Sequence, residues 1–371
     1  MMDIREVGGV VMRRRRKANY IFVPDRRETG GGCLWIVLLV VVALSAIALL
    51  MNHVSNGRVR LMEEKVSVLS LDKAYEGFTI LHISDLHAAP VGREIETWKD
   101  MLYGKSVHAV VMSGDMVGSG GDYEPLLALI HTLREIKKDV PIYLISGDDD
   151  PAPVISTAQG TPEPLANWVR AAVQMGATYL DAPVAQQVGK RTVWFAPEYL
   201  YDVDAAGMVS SLQVQKQEME AVGKQYEAEG GASYRALCYR LDAMQRTVEA
   251  QKAMQESDLQ IAVNHAPLDP AYVRTSLEWA DQTKTFNFRK INLLLCGHNC
   301  AGQWRLPGVG ALYLPEKGWF PGDSTTVGMQ RINSINQYIS PGIGASEDHP
   351  LKGRLFNAPA VTLLKFTGAI Q

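Results

Sequence analysis

Seven side chains that could bind metal fall at or just past the ends of apolar runs: Asp85, His87, Asp115, Asp148, His265, His298 and Cys300. The first pair closes the stretch Ile-Leu-His-Ile-Ser-Asp85-Leu86-His87. Alternate side chains of an extended backbone point the same way, so Asp85 and His87 can converge on one point. A hard carboxylate beside a borderline imidazole suits a divalent transition metal. One Asp-x-His pair is ordinarily a hydrogen-bonded loop pair; its weight here comes from recurrence. Ala109-Val-Val-Met-Ser-Gly ends in Asp115, and Pro141-Ile-Tyr-Leu-Ile-Ser-Gly ends in Asp148-Asp149-Asp150. Leu259-Gln-Ile-Ala-Val-Asn ends in His265, and Ile291-Asn-Leu-Leu-Leu-Cys-Gly ends in His298-Asn-Cys300.

The elements that must hold these groups follow from periodicity. Strands are expected over Lys65–Leu71 and Phe78–Ser84, paired with each other, then a helix over 92–103 with Ile95, Trp98, Met101 and Leu102 on its apolar face. A second helix over 123–138 separates the next two acid-tipped strands. Strand, acid, helix, strand, acid is the alternation of a parallel α/β core with its chemistry at one edge, where such sheets meet ligands. An amphipathic stretch at 164–175 and strands near 177–181 and 191–196 continue it. Strands at 311–314, 335–340 and 360–366 would complete a second sheet. Residues 204–257 break the pattern: a polar, Gln- and Glu-rich stretch with Leu237, Leu241, Met244 and Val248 at heptad-like spacing. It reads as two antiparallel helices joined at Gly230-Gly231, inserted into the core. The hairpin can pack on the domain, cap the site or present an arm to a protein partner or a membrane.

Composition sets the frame. The 371 residues are 47% hydrophobic and 21% charged, ordinary for a globular chain, and the formal charge of −3 argues against a general nucleic-acid binder. The charge is uneven. Residues 1–32 carry eight Lys or Arg against four acids, leaving 29 basic against 36 acidic for the rest. Cys33 to Met51 then reads CLWIVLLVVVALSAIALLM without one charge. Nineteen residues at ~1.5 Å each span roughly 29 Å, about one bilayer core. The long basic leader and the lack of a small-x-small cleavage site favour a span over a cleaved signal. The positive-inside bias puts the N-terminus in the cytoplasm and the larger domain outside, at a cell membrane crossed once. The expected divisions are a basic cytoplasmic leader at 1–32, a transmembrane helix at 33–51, a stalk at 52–63 and a domain at 64–371. Four cysteines are too few for a disulfide framework, though Cys296 and Cys300 are near enough for a local bond.

Taken together, Asp-x-His, Gly-Asp, Gly-Asp-Asp-Asp, His and Gly-His-Asn-Cys resemble the calcineurin-like metallophosphoesterase superfamily, whose pattern is DxH, GD, GNH[DE], H and GHxH. The resemblance covers about residues 65–370. It is nearest to the membrane-associated bacterial phosphodiesterases, since Gly297-His298-Asn299-Cys300-Ala301-Gly302-Gln303 resembles their GHTHGGQ. It implies a four-layer αββα sandwich with the helical hairpin as an insertion, and two divalent metal ions (Mn, Fe or Zn) that activate a hydroxide. On that resemblance Asp85, His87 and Asp115 would hold the first metal, Asp115 would bridge, and Asp148, His265 and His298 would hold the second. A bridging carboxylate offsets the repulsion of two close cations. The implied activity is phosphodiester or pyrophosphate hydrolysis at a membrane, on a phosphorylated, lipid-linked or envelope substrate.

Three positions depart from that pattern. The metal-binding Asn is Asp148, the neighbouring catalytic His is Asp149, and the last His of GHxH is Cys300. Cys300 as thiolate would favour a softer metal. An ionised Asp149 would repel a phosphate; among Asp148, Asp149 and Asp150 one carboxyl could serve as acid if its pKa were raised, which makes Asp149 and Asp150 the candidate catalytic groups. The alternative is an impaired relative that binds a metal or phosphorylated ligand, or acts as a scaffold. A structural zinc module fits less well, because the ligands scatter from Asp85 to Cys300 rather than pairing. A cysteine nucleophile at Cys300 fits less still, with His298 already part of the metal pattern.

Overall fold

The computed structural model describes residues 30–90, 95–157 and 163–368. The chain divides into two units, Met1–Leu50 and Met51–Gln371. Of the basic leader expected at 1–32, the residues up to 29 lie outside the described ones. Helix α1 (Gly30–Asn56) carries an apolar stretch, Leu34–Asn56, long and apolar enough to cross a membrane. Its Leu, Val and Ile side chains from Leu34 to Met51 are exposed.

In the larger unit the segment expected as a stalk is regular structure: α1 runs to Asn56, and β1 (Arg60–Val68) starts four residues later. The chain then gives β2 (Thr79–Ile83), α2 (Ile95–Leu102), β3 (Ala109–Ser113), α3 (Glu124–Ile136), β4 (Ile142–Ile145), α4 (Asn167–Gln174) and β5 (Ala177–Tyr179). It continues through β6 (Val184–Val188), β7 (Arg191–Pro197), α5 (Ala205–Ala221), α6 (Ala228–Ala253), β8 (Leu259–Val263), α7 (Pro270–Trp279) and β9 (Ile291–Cys296). Four two-residue strands follow, β10 (Arg305–Leu306), β11 (Gly310–Ala311), β12 (Tyr313–Leu314) and β13 (Gly318–Trp319), paired as two small ribbons. Last come β14 (Gly328–Ile332), β15 (Ile335–Ile339) and β16 (Ala360–Gly368).

Two six-stranded mixed sheets result, ordered β1-β16-β2-β3-β4-β5 and β14-β15-β9-β8-β7-β6. Strand alternation explains their burial. Leu81 and Ile83 of β2, with Val110 and Met112 of β3, join Trp98, Leu102, Leu129 and Val169 from α2, α3 and α4 in one core. Ile80 and Val111 point the other way and share a second core with Ile261, Leu293, Leu295 and Tyr338 of the other sheet. The remaining face of that sheet, with Trp194, Ala262 and Leu294, forms a third core with Leu212, Leu241, Met244 and Val273. Strands buried on both faces carry near-continuous apolar runs, as these do. Each large side chain so buried contributes roughly 1.5–3 kcal/mol.

The structure corrects three expectations. β1 does not pair with β2: β16 lies between them, parallel to β1 and antiparallel to β2. The run at 360–366 therefore belongs to the first sheet, and 311–314 forms the small ribbons rather than a sheet strand. Sequence neighbours often pair, but nothing local in β1 or β2 reports a third strand arriving nearly 300 residues later. The helices of 204–257 meet at Gly223, whose φ is +73°, not at Gly230-Gly231, which lie in the first turn of α6. Gly230 is small for another reason: a Cβ there would sit 2.5 Å from the Lys224 carbonyl oxygen.

Candidate metal centre

Four of the predicted residues share one placement rule. Asp85, Asp115, His265 and His298 each lie two residues past the end of β2, β3, β8 and β9, and Asp148 three past β4. The strands carry them from both sheets to one edge. There the backbone is forced into unusual shapes: Asp85 (φ +51°), His87 (+44°), Asp115 (+52°), His298 (+69°) and Cys300 (+44°) are all left-handed. Such conformations cost of order 1–3 kcal/mol each in non-glycine residues and persist only where surrounding structure imposes them.

The donors gather in overlapping sets whose ligand atoms lie within 4.8 Å of one another: Asp85, His87 and Cys300; His87, Asp115 and Asp149; and Asp115, Asp148, His265 and His298. His265 Nε2 stands 2.9 Å from Asp115 Oδ2 and 3.0 Å from Asp148 Oδ1. His298 Nδ1 stands 3.0 Å from Asp148 Oδ2. His87 Nε2 is 3.7 Å from Asp115 Oδ2 and 3.6 Å from Cys300 Sγ. Asp115 thus touches both groups.

Neighbours aim the donors. Ser84 Oγ donates to Asp85 Oδ2, and the His298 amide donates to Asp85 Oδ1 at 2.7 Å. The Asp149 amide donates to Asp115 Oδ1 at 2.9 Å. His265 Nδ1 bonds the Ser113 carbonyl oxygen at 2.8 Å, which leaves Nε2 facing the acids. His298 Nε2 is 3.0 Å from Glu316 Oε1, so the nitrogen facing Asp148 is free to act as a donor. A carboxylate on the far nitrogen of a ligating histidine fixes its tautomer and ring plane.

The donor set fits a divalent cation on two counts. His265 Nε2 is buried and close to two carboxylate oxygens, yet it makes no well-directed hydrogen bond. A cation among the three would satisfy all of them. Glycines also clear the space: a Cβ on Gly147 would lie 2.0 Å from Asp115 Oδ1, on Gly114 2.6 Å from His265 Nδ1, and on Gly297 2.8 Å from Asp85 Oδ2.

Charge and burial pull these groups in different directions. His265 and then His298, each 3.0 Å from a carboxylate oxygen, hold the Asp148 carboxyl well below the usual range. Asp148 in turn raises His298 to about 9, against an opposing burial effect, with help from Glu316. Burial would lower His265, but Asp115 and Asp148 outweigh it and raise it well above its ordinary value. Burial, then the Asp85 charge, pushes the Cys300 thiol up. Burial likewise raises Asp85.

The three consecutive acids have three fates. Asp148 is a donor in the cluster. Asp149 enters it with its carboxylate 3.6 Å from His87 Nδ1 and takes a hydrogen bond from Ser346 Oγ at 2.8 Å. Asp150 does not reach the site. Its two oxygens are taken by the amides of Val117, Gly118 and Gly147 at 2.7, 3.1 and 2.9 Å, so it clamps the loops together. Cys296 and Cys300 are free thiols: Cys296 is buried under the second sheet, while Cys300 faces His87. Sequence reasoning missed Glu316, which comes from a loop without a motif; Ser346 closes the segment Ser340 to Ser346, which resembles the family's closing segment, but no role was read for it. The groups open into a cavity of about 230 Å³ lined in part by Asp115, Asp149, His298, Glu316, Ser346 and His349.

An α/β core that gathers carboxylates and imidazoles from five strand ends into neighbouring donor groups is a protein with a centre that could hold metal ions. The chain belongs to the calcineurin-like phosphoesterase family, which matches residues 78–302. No curated protein matches the chain. Among solved structures it is similar to the phosphopantetheinyl hydrolase PptH from Mycobacterium tuberculosis, at 14% identity and a TM-score of 0.32, over 72% of this chain and 91% of that one.

Proposed function

We propose that this chain is a membrane-anchored, metal-dependent phosphoesterase that cleaves phosphodiester or pyrophosphate bonds close to a membrane surface. The observation that carries the reading is that Asp115 shares one donor group with Asp148, His265 and His298 and another with His87, which also groups with Asp85 and Cys300. Two divalent cations (Mn, Fe or Zn) held there would polarise a phosphoryl group and bring the pKa of water into the working range. In this reading Asp85, His87 and Cys300 hold one cation, Asp148, His265 and His298 the other, and Asp115 bridges.

The remaining residues position and exclude. Glu316 holds the His298 ring; Ser346 holds the Asp149 carboxylate toward His87. The Ser346 hydroxyl donates to Asp149 Oδ2, so this carboxylate is held in place beside His87. Asp149 stands where the family pattern has a histidine, so leaving groups that need little protonation are the better substrates, since general acid help is typically worth 10²–10⁴-fold. The same observation supports a second reading, an impaired relative that binds a phosphorylated ligand without turnover.

We read the architecture as a four-layer αββα sandwich with α5–α6 inserted as a hairpin, supported by the three cores, and the subgroup as the GHTHGGQ type, supported by Gly297 to Gln303. The span, an extracytoplasmic domain beyond it and a lipid-linked or envelope substrate follow from the α1 apolar stretch and the charge bias of the leader. The hairpin, whose Val222 and Tyr226 are exposed, would serve any protein partner.

The test uses the full chain in nanodiscs, with metal analysis and an aryl phosphodiester assay. Two metals per chain are expected, with Asp115→Ala losing both and dropping hydrolysis to background. A folded chain with no turnover in Mn, Fe or Zn would overturn the enzymatic reading in favour of the second.

A further inference from the structure

The two small ribbons and the segment beside them expose large apolar side chains: Val309 (56%), Trp319 (62%) and Phe320 (58%), with Leu306 and Phe356 at their edge. Several large exposed apolar side chains on neighbouring segments are the kind of feature that marks an interaction site. The residues belong together. Leu306, Val309 and Phe356 line one shallow hollow of about 310 Å³. Trp319 and Phe320 have ring centroids 6.4 Å apart. Backbone bonds tie the two groups: Phe320 N donates to Leu312 O, Leu312 N to Trp304 O, and Arg305 N to Leu355 O, each at 2.9 Å.

Two further contacts say what the patch meets. The Phe356 amide donates to Asn52 Oδ1 at 2.6 Å, and Asn52 and Asn56 both donate to the Arg354 carbonyl oxygen, at 3.2 and 2.7 Å. Asn52 is the residue that follows Met51, where the uncharged run from Cys33 ends. Phe356 is thus one hydrogen bond from the residue that follows the uncharged run, within the last turns of α1. The loop that carries Trp319 and Phe320 also supplies Leu314, Pro315 and Glu316 to the rim of the metal cavity.

We propose that Leu306, Val309, Trp319, Phe320 and Phe356 insert into the boundary of a phospholipid bilayer and hold the rim of the metal cavity at headgroup depth. Tryptophan suits that place, with an apolar ring and one polar N–H. A phosphorylated lipid would then present its phosphate to Asp115 and His298 without leaving the bilayer. This rests on the anchored reading above.

The test reads depth rather than turnover. The full chain, with Cys33 and Cys238 replaced by Ser, takes an environment-sensitive fluorophore at Val309→Cys or, as a control, at Tyr226→Cys on the exposed α5–α6 connection. Each is reconstituted in phosphatidylcholine–phosphatidylglycerol vesicles with and without brominated acyl chains. Expected is a blue-shifted emission at 309, quenched several-fold more strongly than at 226. Trp319→Ser with Phe320→Ser should cut the quenching at 309 while leaving hydrolysis of a soluble aryl phosphodiester unchanged. Equal quenching at the two labels, or a chain that does not enter vesicles, overturns the proposal. If Val309→Cys does not fold, the label moves to Leu306→Cys. Loss of hydrolysis in every labelled chain with quenching intact would instead strike the enzymatic reading alone.

Discussion

The donor group of Asp85, His87 and Cys300 and that of Asp148, His265 and His298, which Asp115 joins through His87, differ in their exposure to solvent. Asp85 and Cys300 are wholly buried, and the His87 side chain is 5% exposed. In the other set Asp148 is 57% exposed and His298 24%. The closed set is walled by backbone: the Gly344 amide bonds the Asp85 carbonyl oxygen at 2.5 Å, and Arg354 donates to the carbonyls of Pro341, Gly344 and Asn357 to hold that loop. The open set is held by charge instead, through Asp148, its two histidines and Glu316. One half of the centre is built like a core and the other like a surface. The closed half should keep its cation, and the open half should exchange its own and meet the substrate.

Three perturbations probe this contrast. The largest effect should come from Gly147→Ala, because its Cβ would stand 2.0 Å from Asp115 Oδ1 and 2.4 Å from the Asp115 amide. Asp115 serves both halves, so hydrolysis and both metals should be lost while the circular dichroism spectrum persists; a variant with normal turnover would show that Asp115 does not need this position. A middle effect should separate Asp148→Ala from Cys300→Ala. Each removes one donor, and even the supporting contacts of a metal site are typically worth 10–100-fold in affinity. Metal titration should find Asp148→Ala weakening the faster-exchanging cation and Cys300→Ala the slower one. If both variants weaken the same cation, the two halves are not independent.

The smallest effect concerns protons. In metal-free protein His298 is raised from 6.5 to about 9, so its stabilising contribution is complete below pH 6.5 and is lost as pH rises through 9. The Tm of chelator-treated protein should therefore fall across that window, and His298→Gln should flatten the fall. Added Mn or Zn should oppose it, because a cation replaces the protons and binds more tightly as pH rises. A chelated protein whose Tm climbs from pH 6.5 to 9 would contradict the charge-held picture of the open half.

Much of this centre was legible along the chain. Asp85, Asp115, His265 and His298 each follow an apolar run by the same short step, and a strand end is a place that sequence can mark. Cys300 and Asp148 were legible as departures from a pattern. Glu316 and Arg354 were not, because they sit on loops whose composition is ordinary and whose positions depend on chain far away. Asp150 shows the opposite case: its type and place suggested chemistry, and three backbone amides bond its carboxylate.

The sequence alone determined the apolar stretch of α1, the strand-tipping donors and the alternation that makes an α/β core, since each depends on the period of side chains along a local backbone. Only the tertiary structure decided that β16 enters between β1 and β2, that the helices of 204–257 turn at Gly223, and that the centre has a closed half and an open one. Those outcomes depend on which distant surfaces exclude water together, and no local period carries that information.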